Sequence, residues 1–370
     1  MEDCSFWRFM NQLHVNRVLV IVAAAACRFA GSAGLGVAGR RFGRCGLCLA
    51  AVLAAVGVPG VLQPVALAGS SPVLNWVKKA PAASPPVREF AAVAYDVATG
   101  NVVLFGGQGI NGHLLGDTWV WDGTTWAKQA PGASPPARWD ASMAYDAATG
   151  GVVLFGGLDS HDHALGDTWV WDGTTWAKQA PAASPPARYG PSMAYDPAAG
   201  GVVLFGGAGR LGMQGDTWVW DGTTWAKQDP AASPPGRYEA SMAYDAATGN
   251  MVLFGGFGGH GPLGDTWAWD GRTWAKQAPA ASPPARYGPS MAYDAATGNV
   301  VLFGGFGRNG MQSGTWIWNG ATWTRQFPKT SPPARYAASM GYDAPTGHVV
   351  LFSGSDLNGL LSGTWTWGSG

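Results

Sequence analysis

The sequence predicts an all-β fold, a six-bladed β-propeller with four strands in each blade. Three observations lead to this prediction. A long segment recurs six times along the chain, with steps of 50, 50, 49, 49 and 49 residues between equivalent positions. Each complete copy holds four short runs of strand-forming residues, and glycine (56 residues) and tryptophan (20) are abundant. A period near 50 residues is typical of propellers and repeat arrays.

Two landmarks define the repeat. The phenylalanine of "VVLFGG" falls at Phe105, Phe155, Phe205, Phe254, Phe303 and Phe352. The arginine of "PPAR" falls at Arg88, Arg138, Arg188, Arg237, Arg286 and Arg335. Both series have the same steps, so the copies differ little in length. One four-stranded sheet of this size cannot cover two apolar faces alone, and neighbouring copies must cover it.

The four strands follow one another in each copy. The run "ASMAYD" predicts the first strand, and "AATG" predicts the turn after it. The continuous apolar run "VVLFGG" is expected for a second strand that is covered on both faces. The tryptophans of "DTWVWD" share one face of the third strand, and Asp-Gly of "DGTT" is a hairpin signal. The fourth strand is "TWAKQ", and a proline-rich stretch ends it. We expect the tryptophans to pack between blades.

The two ends of the repeat region complement each other. The sixth copy stops at "SGTWTWGSG", so it lacks a fourth strand. The stretch "NWVKKAPAASPP" (residues 75–86) precedes the first copy and matches "TWAKQAPAASPP". We therefore expect the strand around Trp76 to complete the last blade, because an open ring would leave two long edges unpaired.

The repeat resembles the Kelch family over residues 74–370. The resemblance rests on an apolar run that ends in Gly-Gly, followed by an aromatic residue and then a tryptophan, at about 50 residues per unit. Trp121 and its equivalents stand where the family more often has tyrosine, and Ser353 replaces the first glycine of the last doublet. The resemblance implies a propeller fold.

The first 68 residues lack the repeat. Residues 1–44 form an N-terminal extension, for which a mis-assigned start codon is one explanation. Residues 45–68 contain an apolar run from Cys45 to Leu62 and the cleavage-like "ALA" ending at Ala68, after the basic residues Arg40, Arg41 and Arg44. This order is typical of a secretory signal. The alternative is a retained membrane anchor. The prediction is export, cleavage after Ala68, and a mature propeller of residues 69–370 without a stable membrane span.

Charge and cysteine content exclude several functions. The whole chain has a formal net charge of zero, and after cleavage 17 basic and 21 acidic residues remain, a net charge of −4. Nucleic acid is therefore not an expected partner. No cysteine follows Cys48. The mature chain thus lacks the cysteine that Kelch-like copper oxidases need, and it has no cysteine–zinc site. We expect no metal or other cofactor, and a monomer.

Candidate binding residues lie where the copies disagree. A residue that all copies share serves the blade, whereas function without ring symmetry needs positions that differ. The copies differ most in the loops between strands two and three, and again just after the arginine. Strand parity puts both sites on one face, called here the variable face, and the "AATG" and "DGTT" turns on the other, the uniform face. Loop drift without function is the alternative. The loop candidates are His113, Asp159, His161, Asp162, His163, Arg210, His260, Arg308 and Asp356.

The six repeated arginines are further binding candidates. At the start of the first strand they could form a ring that attracts carboxylates. The structural interpretation, which we favour, pairs each arginine with a local carboxylate such as the aspartate of "GDTW". Gly314 and Gly363 replace that aspartate in the last two copies, so Arg286 and Arg335 would lack the partner.

Three classes of function stay open. The first is a secreted or surface-exposed module that binds a protein or a glycan through the variable face. The second is a propeller enzyme acting on a sugar. The Kelch resemblance includes the bacterial sialic-acid mutarotases, and Glu89, Glu239 or a loop histidine could supply the acid–base pair. The third is a structural or adhesive role of the uniform face. We expect the first and assign no catalytic residue.

Overall fold

The computed structural model describes residues 74–369 of the protein. The predicted extension, export signal and cleavage site lie outside these residues. Strand β1 (Leu74–Lys78) precedes the first repeat, and each repeat then forms one blade, numbered 1 to 6. Among the described residues, no helix has the length and apolar character that crossing a membrane requires.

The strands follow the repeat. Blade 1 contains β2 (Ala92–Asp96), β3 (Asn101–Phe105), a 3₁₀ turn (Ile110–Gly112), β4 (Thr118–Trp121) and β5 (Trp126–Lys128). Blade 2 contains β6 (Ser142–Asp146), β7 (Gly151–Phe155), β8 (Thr168–Trp171) and β9 (Trp176–Lys178). Blade 3 contains β10 (Ser192–Asp196), β11 (Gly201–Phe205), β12 (Ala208–Gly209), β13 (Gly212–Met213), β14 (Thr217–Trp220) and β15 (Trp225–Lys227).

The other three blades continue the pattern. Blade 4 contains β16 (Ser241–Asp245), β17 (Asn250–Phe254), β18 (Phe257–Gly258), β19 (Gly261–Pro262), β20 (Thr266–Trp269) and β21 (Trp274–Lys276). Blade 5 contains β22 (Arg286–Tyr287), β23 (Ser290–Asp294), β24 (Asn299–Phe303), β25 (Phe306–Gly307), β26 (Gly310–Met311), β27 (Thr315–Trp318) and β28 (Trp323–Gln326). Blade 6 contains β29 (Ser339–Asp343), β30 (His348–Phe352), β31 (Ser355–Asp356), β32 (Gly359–Leu360) and β33 (Thr364–Ser369).

Each blade is a four-stranded antiparallel sheet whose strands pair in chain order, with blade 6 as the exception. The predicted all-β fold of repeated four-stranded sheets is confirmed. In blade 6 the order is β1-β33-β30-β29, and Trp76 of β1 pairs with Trp367 of β33. The first strands of the six blades contact one another in a cycle, because β2 touches both β6 and β29.

A ring of backbone hydrogen bonds joins the blades at the entrance to the first strands. The collar, as we call it, consists of the second residue after each repeated arginine. Each collar residue donates its N–H to the carbonyl oxygen of the collar residue in the preceding blade, at 2.8–3.0 Å. The members are Phe90, Asp140, Gly190, Glu239, Gly288 and Ala337. All six have a positive φ, between 51° and 60°. Glycine adopts this conformation without strain, whereas aspartate, glutamate, phenylalanine and alanine do so at a cost.

Tryptophans fill the interfaces between blades. Twelve of them are less than 2% exposed, among them Trp225 of β15. Its ring lies 5.4 Å from Phe155 of the preceding blade, and its Nε1 donates to Thr168 Oγ1 at 2.9 Å. The same indole-to-threonine bond recurs at the other interfaces, for example from Trp76 to Thr315. The predicted packing holds for these tryptophans, while the first tryptophan of "TWVW", such as Trp119, stays half-buried.

Candidate functional site

The two variable segments of each copy lie against each other. In blade 1 the residue after the arginine, Glu89, exchanges backbone hydrogen bonds with Gln108, which follows the glycine doublet. Equivalent bridges link Trp139 to Leu158 and Tyr336 to Ser355. At the other end of the sheets, Gly123 of the "DGTT" turn in blade 1 lies against Thr346, in the turn between the first two strands of blade 6. The two variable segments of each copy therefore lie at the same end of the sheet, as the sequence predicts.

The loop candidates are spread over the variable face, and few of them meet. His113, Arg210, His260 and Arg308 are exposed and belong to four different blades, while Asp356 is half-buried. Only the blade 2 loop forms a compact group. The ligand-type atoms of Asp159, His161 and His163 lie within 4.8 Å of one another, and both histidines are exposed. Asp162 belongs to the same loop and has φ 59°.

The internal bonds of this loop explain its shape. Asp159 Oδ1 accepts the backbone N–H groups of His161 and His163, at 2.8 and 2.9 Å. Partial burial raises the pKa of Asp159. These hydrogen bonds and the neighbouring His163 lower the pKa by a larger amount, so the net shift is downward. The imidazoles stack with centroids 5.8 Å apart. Asp159 thus stabilises a tight turn, and its Oδ1 already accepts two backbone hydrogen bonds.

The repeated arginines are buried inside the blades and line no part of the central cavity. In blades 1 to 4 the guanidinium binds the aspartate of "GDTW" through two N–H groups. Arg138 Nη1 and Nη2, for example, donate to Asp167 Oδ1 and Oδ2 at 2.6 and 3.0 Å. This is the pairing that the sequence offered as the alternative to a ligand ring. Arg286 and Arg335 have no ion pair among the described residues. In these two, burial lowers the pKa of the guanidinium to about 10.

A central cavity of about 170 Å³ lies inside the ring of first strands. Each blade contributes its collar residue and the residues that follow it. In blade 2 these are Asp140, Ala141, Ser142 and Met143. The collar forms the end of the cavity on the variable face, where the copies differ. One end of the cavity thus carries two acidic residues that do not repeat between blades. Its walls carry serine and methionine residues that do repeat.

Two collar carboxyl groups each have one oxygen without a hydrogen-bond partner. Asp140 is 8% exposed, and its Oδ2 is enclosed without a partner. Glu239 is half-buried as a residue, yet its Oε2 is also enclosed without a partner. The collar glycines make room for both carboxyls. A Cβ atom on Gly190 would lie 3.0 Å from Asp140 Oδ2, and one on Gly288 would lie 3.4 Å from Glu239 Oε2.

The third acidic residue of this group, Glu89, does hydrogen-bond within the protein. Its Oε2 accepts from the Ser355 hydroxyl at 2.5 Å. Burial raises the pKa of Glu89, although the hydrogen bonds from Ser355 and Tyr336 act against this rise. The acidic mouth, as we call Glu89, Asp140 and Glu239 together, draws one residue from each of blades 1, 2 and 4.

Burial and mutual repulsion change the protonation of the acidic mouth. Burial, together with the charge of Glu89, raises the pKa of Asp140 to about 7. Burial, with the charges of Asp140 and Glu89, also raises the pKa of Glu239 well above its ordinary value. Aromatic side chains surround these groups; Phe90 contacts Trp139 and Tyr336 at centroid distances of 5.3 and 5.6 Å. Such apolar neighbours remove the water that would stabilise a carboxylate.

The sequence predicts only part of this site. The variable residues after the arginine, and Glu89 and Glu239 as an acid–base option, follow from the sequence, whereas Asp140 is not among the predicted residues. The available signal was that an acidic residue occupies a position where two other copies have glycine. Neither a scan of protein-family models nor a search of curated proteins finds a match for this chain.

Proposed function

We propose that the protein is a Kelch-type repeat propeller that works as a secreted or surface-exposed binding module for a protein or a glycan. Its ligand contacts the acidic mouth and the surrounding loops of the variable face. One observation carries the proposal. Near-identical blades differ at one end, and there two buried carboxyl oxygens, on Asp140 and Glu239, have no hydrogen-bond partner.

Unpartnered buried carboxyls are costly for a fold and useful for a ligand. An enclosed acceptor without a donor destabilises the folded state by about 1–3 kcal/mol. The protein also places both residues in a backbone conformation that glycine prefers, although glycine occupies the same position in blades 3 and 5. A ligand with N–H or O–H donors would satisfy these oxygens. Lysine side chains of a protein and hydroxyl groups of a glycan both offer such donors.

The export part of the proposal rests on the sequence. The basic, apolar and small-residue segments before residue 69 stand in the order of a secretory signal. A rigid ring that carries variable loops on one face is a common design for binding proteins. We propose a monomer, because the sequence already supplies the strand that completes the last blade.

Arrays of glycans and peptides, probed with residues 69–370, test the proposal. Each ligand found is then titrated against the double variant Asp140→Gly, Glu239→Gly. Glycine fits the positive φ at both positions, so this variant is expected to fold at least as stably as the parent and to lose affinity for the ligand. The matched control is Ala147→Arg, Ala246→Arg, which changes exposed turn residues of the same two blades on the uniform face. Binding that is lost in the control alone would contradict the proposal and favour the adhesive role.

A sugar-directed enzyme is the second candidate, and the raised pKa of Asp140 favours it. A general acid or base works best when its pKa lies near the working pH. Burial and the charge of Glu89 raise the pKa of Asp140 to about 7, which is near neutral pH. NMR exchange spectroscopy on free sugars with and without the protein tests this candidate. Faster anomer exchange that Asp140→Asn abolishes would support it, and unchanged exchange rates would exclude it for those sugars.

A further inference from the structure

Blades 1 to 4 contain a repeated carboxylate cradle. We use this name for the site where the arginine guanidinium and an indole N–H bind one carboxylate. In blade 1, Asp117 Oδ1 accepts from Arg88 at 2.7 Å, and Oδ2 accepts from Arg88 at 3.1 Å and from Trp119 Nε1 at 2.7 Å. The other three blades repeat this geometry with Asp167, Asp216 and Asp265. Side chains of these aspartates are 15–18% exposed, so the cradle is open to solvent.

Blades 5 and 6 have the cradle without its carboxylate. Gly314 and Gly363 occupy the aspartate position. The arginines remain in place: Arg286 donates to Pro284 O and Gly304 O, at 2.9 and 2.8 Å, as its equivalents do in the other blades. Arg335 does the same with Pro333 and Ser353. Both arginines are 1% exposed, and neither has an acidic partner within ion-pair distance among the described residues.

The indole donors of these two blades have also lost their acceptor. Trp365 is 7% exposed, and its Nε1 is enclosed without a hydrogen-bond partner. Its equivalents in blades 1 to 4 all donate to the cradle aspartate at 2.7 Å. In blade 5 a Cβ atom on Gly314 would lie 3.1 Å from Trp316 Nε1. The indoles therefore still point to the place where the carboxylate stands in the other blades.

A second cation lies beside each empty cradle. Arg325 pairs with Trp316 across the sheet, and its Nε is 3.9 Å from a Cβ built on Gly314. Lys78 of β1 pairs with Trp365, and its Cε is 3.4 Å from a Cβ built on Gly363. Two positive charges and an indole N–H thus face one position in each blade. In blade 6 the half-buried Asp356 acts on Arg335 from the loop, but it forms no ion pair with it.

We infer that blades 5 and 6 each bind a carboxylate supplied from outside the chain, held by the guanidinium and the indole N–H. The four filled cradles show the binding mode, which is two parallel guanidinium bonds and one indole bond to a planar anion. Guanidinium groups favour such bidentate pairing. The carboxylate is that of a small organic acid or of an acidic side chain or C-terminus of a partner. This inference stands apart from the proposed function, since it needs neither the acidic mouth nor an identified ligand.

Formate is the probe for the small-acid arm, because it is the smallest carboxylate. Carbon-13 NMR titration of the domain measures formate binding against a background of constant ionic strength, and thermal unfolding with formate or chloride measures the accompanying rise in stability. The key variant is Gly314→Asp, which restores the aspartate of the other blades at a position without positive φ. We expect it to abolish the blade 5 site. Equal formate binding by the parent and by this variant would overturn the inference for blade 5.

Blade 6 needs a different variant, because Gly363 has φ 108° and an aspartate there would be strained. Trp365→Phe removes the orphan indole N–H and keeps an aromatic ring at this position. We expect formate to bind about tenfold more weakly at this site, since one hydrogen bond to a charged group contributes about 1.5 kcal/mol or more. Unchanged affinity would contradict the assignment of the indole.

A constructed cradle provides the matched control. Asp117→Gly opens the blade 1 cradle, so this variant should bind one more formate than the parent and regain stability as formate is added. If this variant is unfolded without formate and folds when formate is added, that outcome also supports the inference. No rescue at any formate concentration would overturn the inference.

The second arm identifies the source of the carboxylate. Peptides with a free C-terminus are compared with their amides, and glutamate-containing peptides with their glutamine counterparts. Binding of peptides that Gly314→Asp removes assigns the cradles to a macromolecular partner, whereas binding of formate alone assigns them to small acids. Preferential binding of sulfate or phosphate over carboxylates would contradict the proposed chemistry.

Discussion

Two acidic side chains of blade 2, on opposite faces of the ring, differ in the hydrogen bonds that the protein gives their carboxyl groups. Asp172, in the exposed turn of the uniform face, accepts from the backbone N–H groups of Thr174 and Thr175, both at 2.8 Å. The bonds from Thr175 and Thr174 lower its pKa. Asp140, at the collar of the variable face, has an enclosed oxygen without a partner, and burial raises its pKa. The first stabilises its own turn, whereas the second has a carboxyl oxygen that the chain leaves without a hydrogen-bond partner.

The difference teaches how to separate structure from function in a repeat protein. Positions that most copies share contribute bonds that the blade itself completes, as the Arg138–Asp167 pair and its three equivalents do. Some positions that differ between copies, such as Asp140 and Glu239, leave bonds incomplete. Blades 5 and 6 show this within one motif, since the same arginine is paired in four copies and unpaired in two. Incomplete bonds at non-repeating positions are therefore the feature to test.

Removing β1 should give the largest effect, because it breaks a shared element. Trp76 is fully buried, its ring lies 5.3 Å from Phe303, and its Nε1 donates to Thr315. Loss of a buried tryptophan alone costs about 3–5 kcal/mol. A protein without residues 69–80 should unfold at much lower denaturant concentration and aggregate, as measured by urea titration and size-exclusion chromatography. The control lacks only residues 69–73 and keeps β1. Equal stability of the two truncated proteins would show that β1 does not stabilise the ring.

Breaking a shared pair should rank next. Asp167→Ala leaves Arg138 buried and uncompensated, which costs about 3–5 kcal/mol for a buried pair. The matched control is Asp159→Ala in the same blade, at a position that the copies do not share. It removes only turn bonds in an exposed loop, so we expect a loss below about 1 kcal/mol. Urea unfolding of both variants measures the difference, and similar losses would contradict the distinction between shared and variable positions.

Much of the fold was predictable, because six copies repeat the same local signals. The strand order, the missing fourth strand of the sixth copy and the match to Trp76 can be read from the sequence. The acidic mouth could not be assembled in the same way. Asp140 and Glu239 are 99 positions apart in the sequence, and only ring geometry places both on the collar. That an oxygen of each is enclosed without a partner depends on packing, which no local pattern encodes.

Stability should depend on pH through the acidic mouth. Below the ordinary pKa of a carboxyl, the folded and unfolded chains are both protonated, so the ionisation of Asp140 and Glu239 does not change the free energy of unfolding. As the pH rises towards 7, the unfolded chain ionises freely while the folded chain resists, and the free energy of unfolding falls. Relative to Asp140→Gly, Glu239→Gly, we expect the parent to lose on the order of 2–4 kcal/mol between pH 4 and pH 8. Urea titrations at several pH values measure this, and parallel curves for the two proteins would refute the raised pKa values.

Exchanging a variable loop should have the smallest effect on stability. Replacing "LDSHDHALGD" of blade 2 with "FGGHGPLGD" of blade 4 removes Asp159, His161, Asp162 and His163 together. Three of these four residues are exposed and Asp159 bonds only within the loop, so we expect a change within about 0.5 kcal/mol. The bridge between Trp139 and the residue after the glycine doublet uses backbone groups and survives the exchange.

The same exchange bears on binding. If a ligand of the acidic mouth also contacts the blade 2 loop, its affinity should fall in the loop variant while the urea midpoint stays constant. An equivalent change of the "AATG" turn in blade 2 should alter neither quantity. A large loss of stability on loop exchange would place this loop among the structural elements of the blade and would remove His161 and His163 from the candidate binding residues.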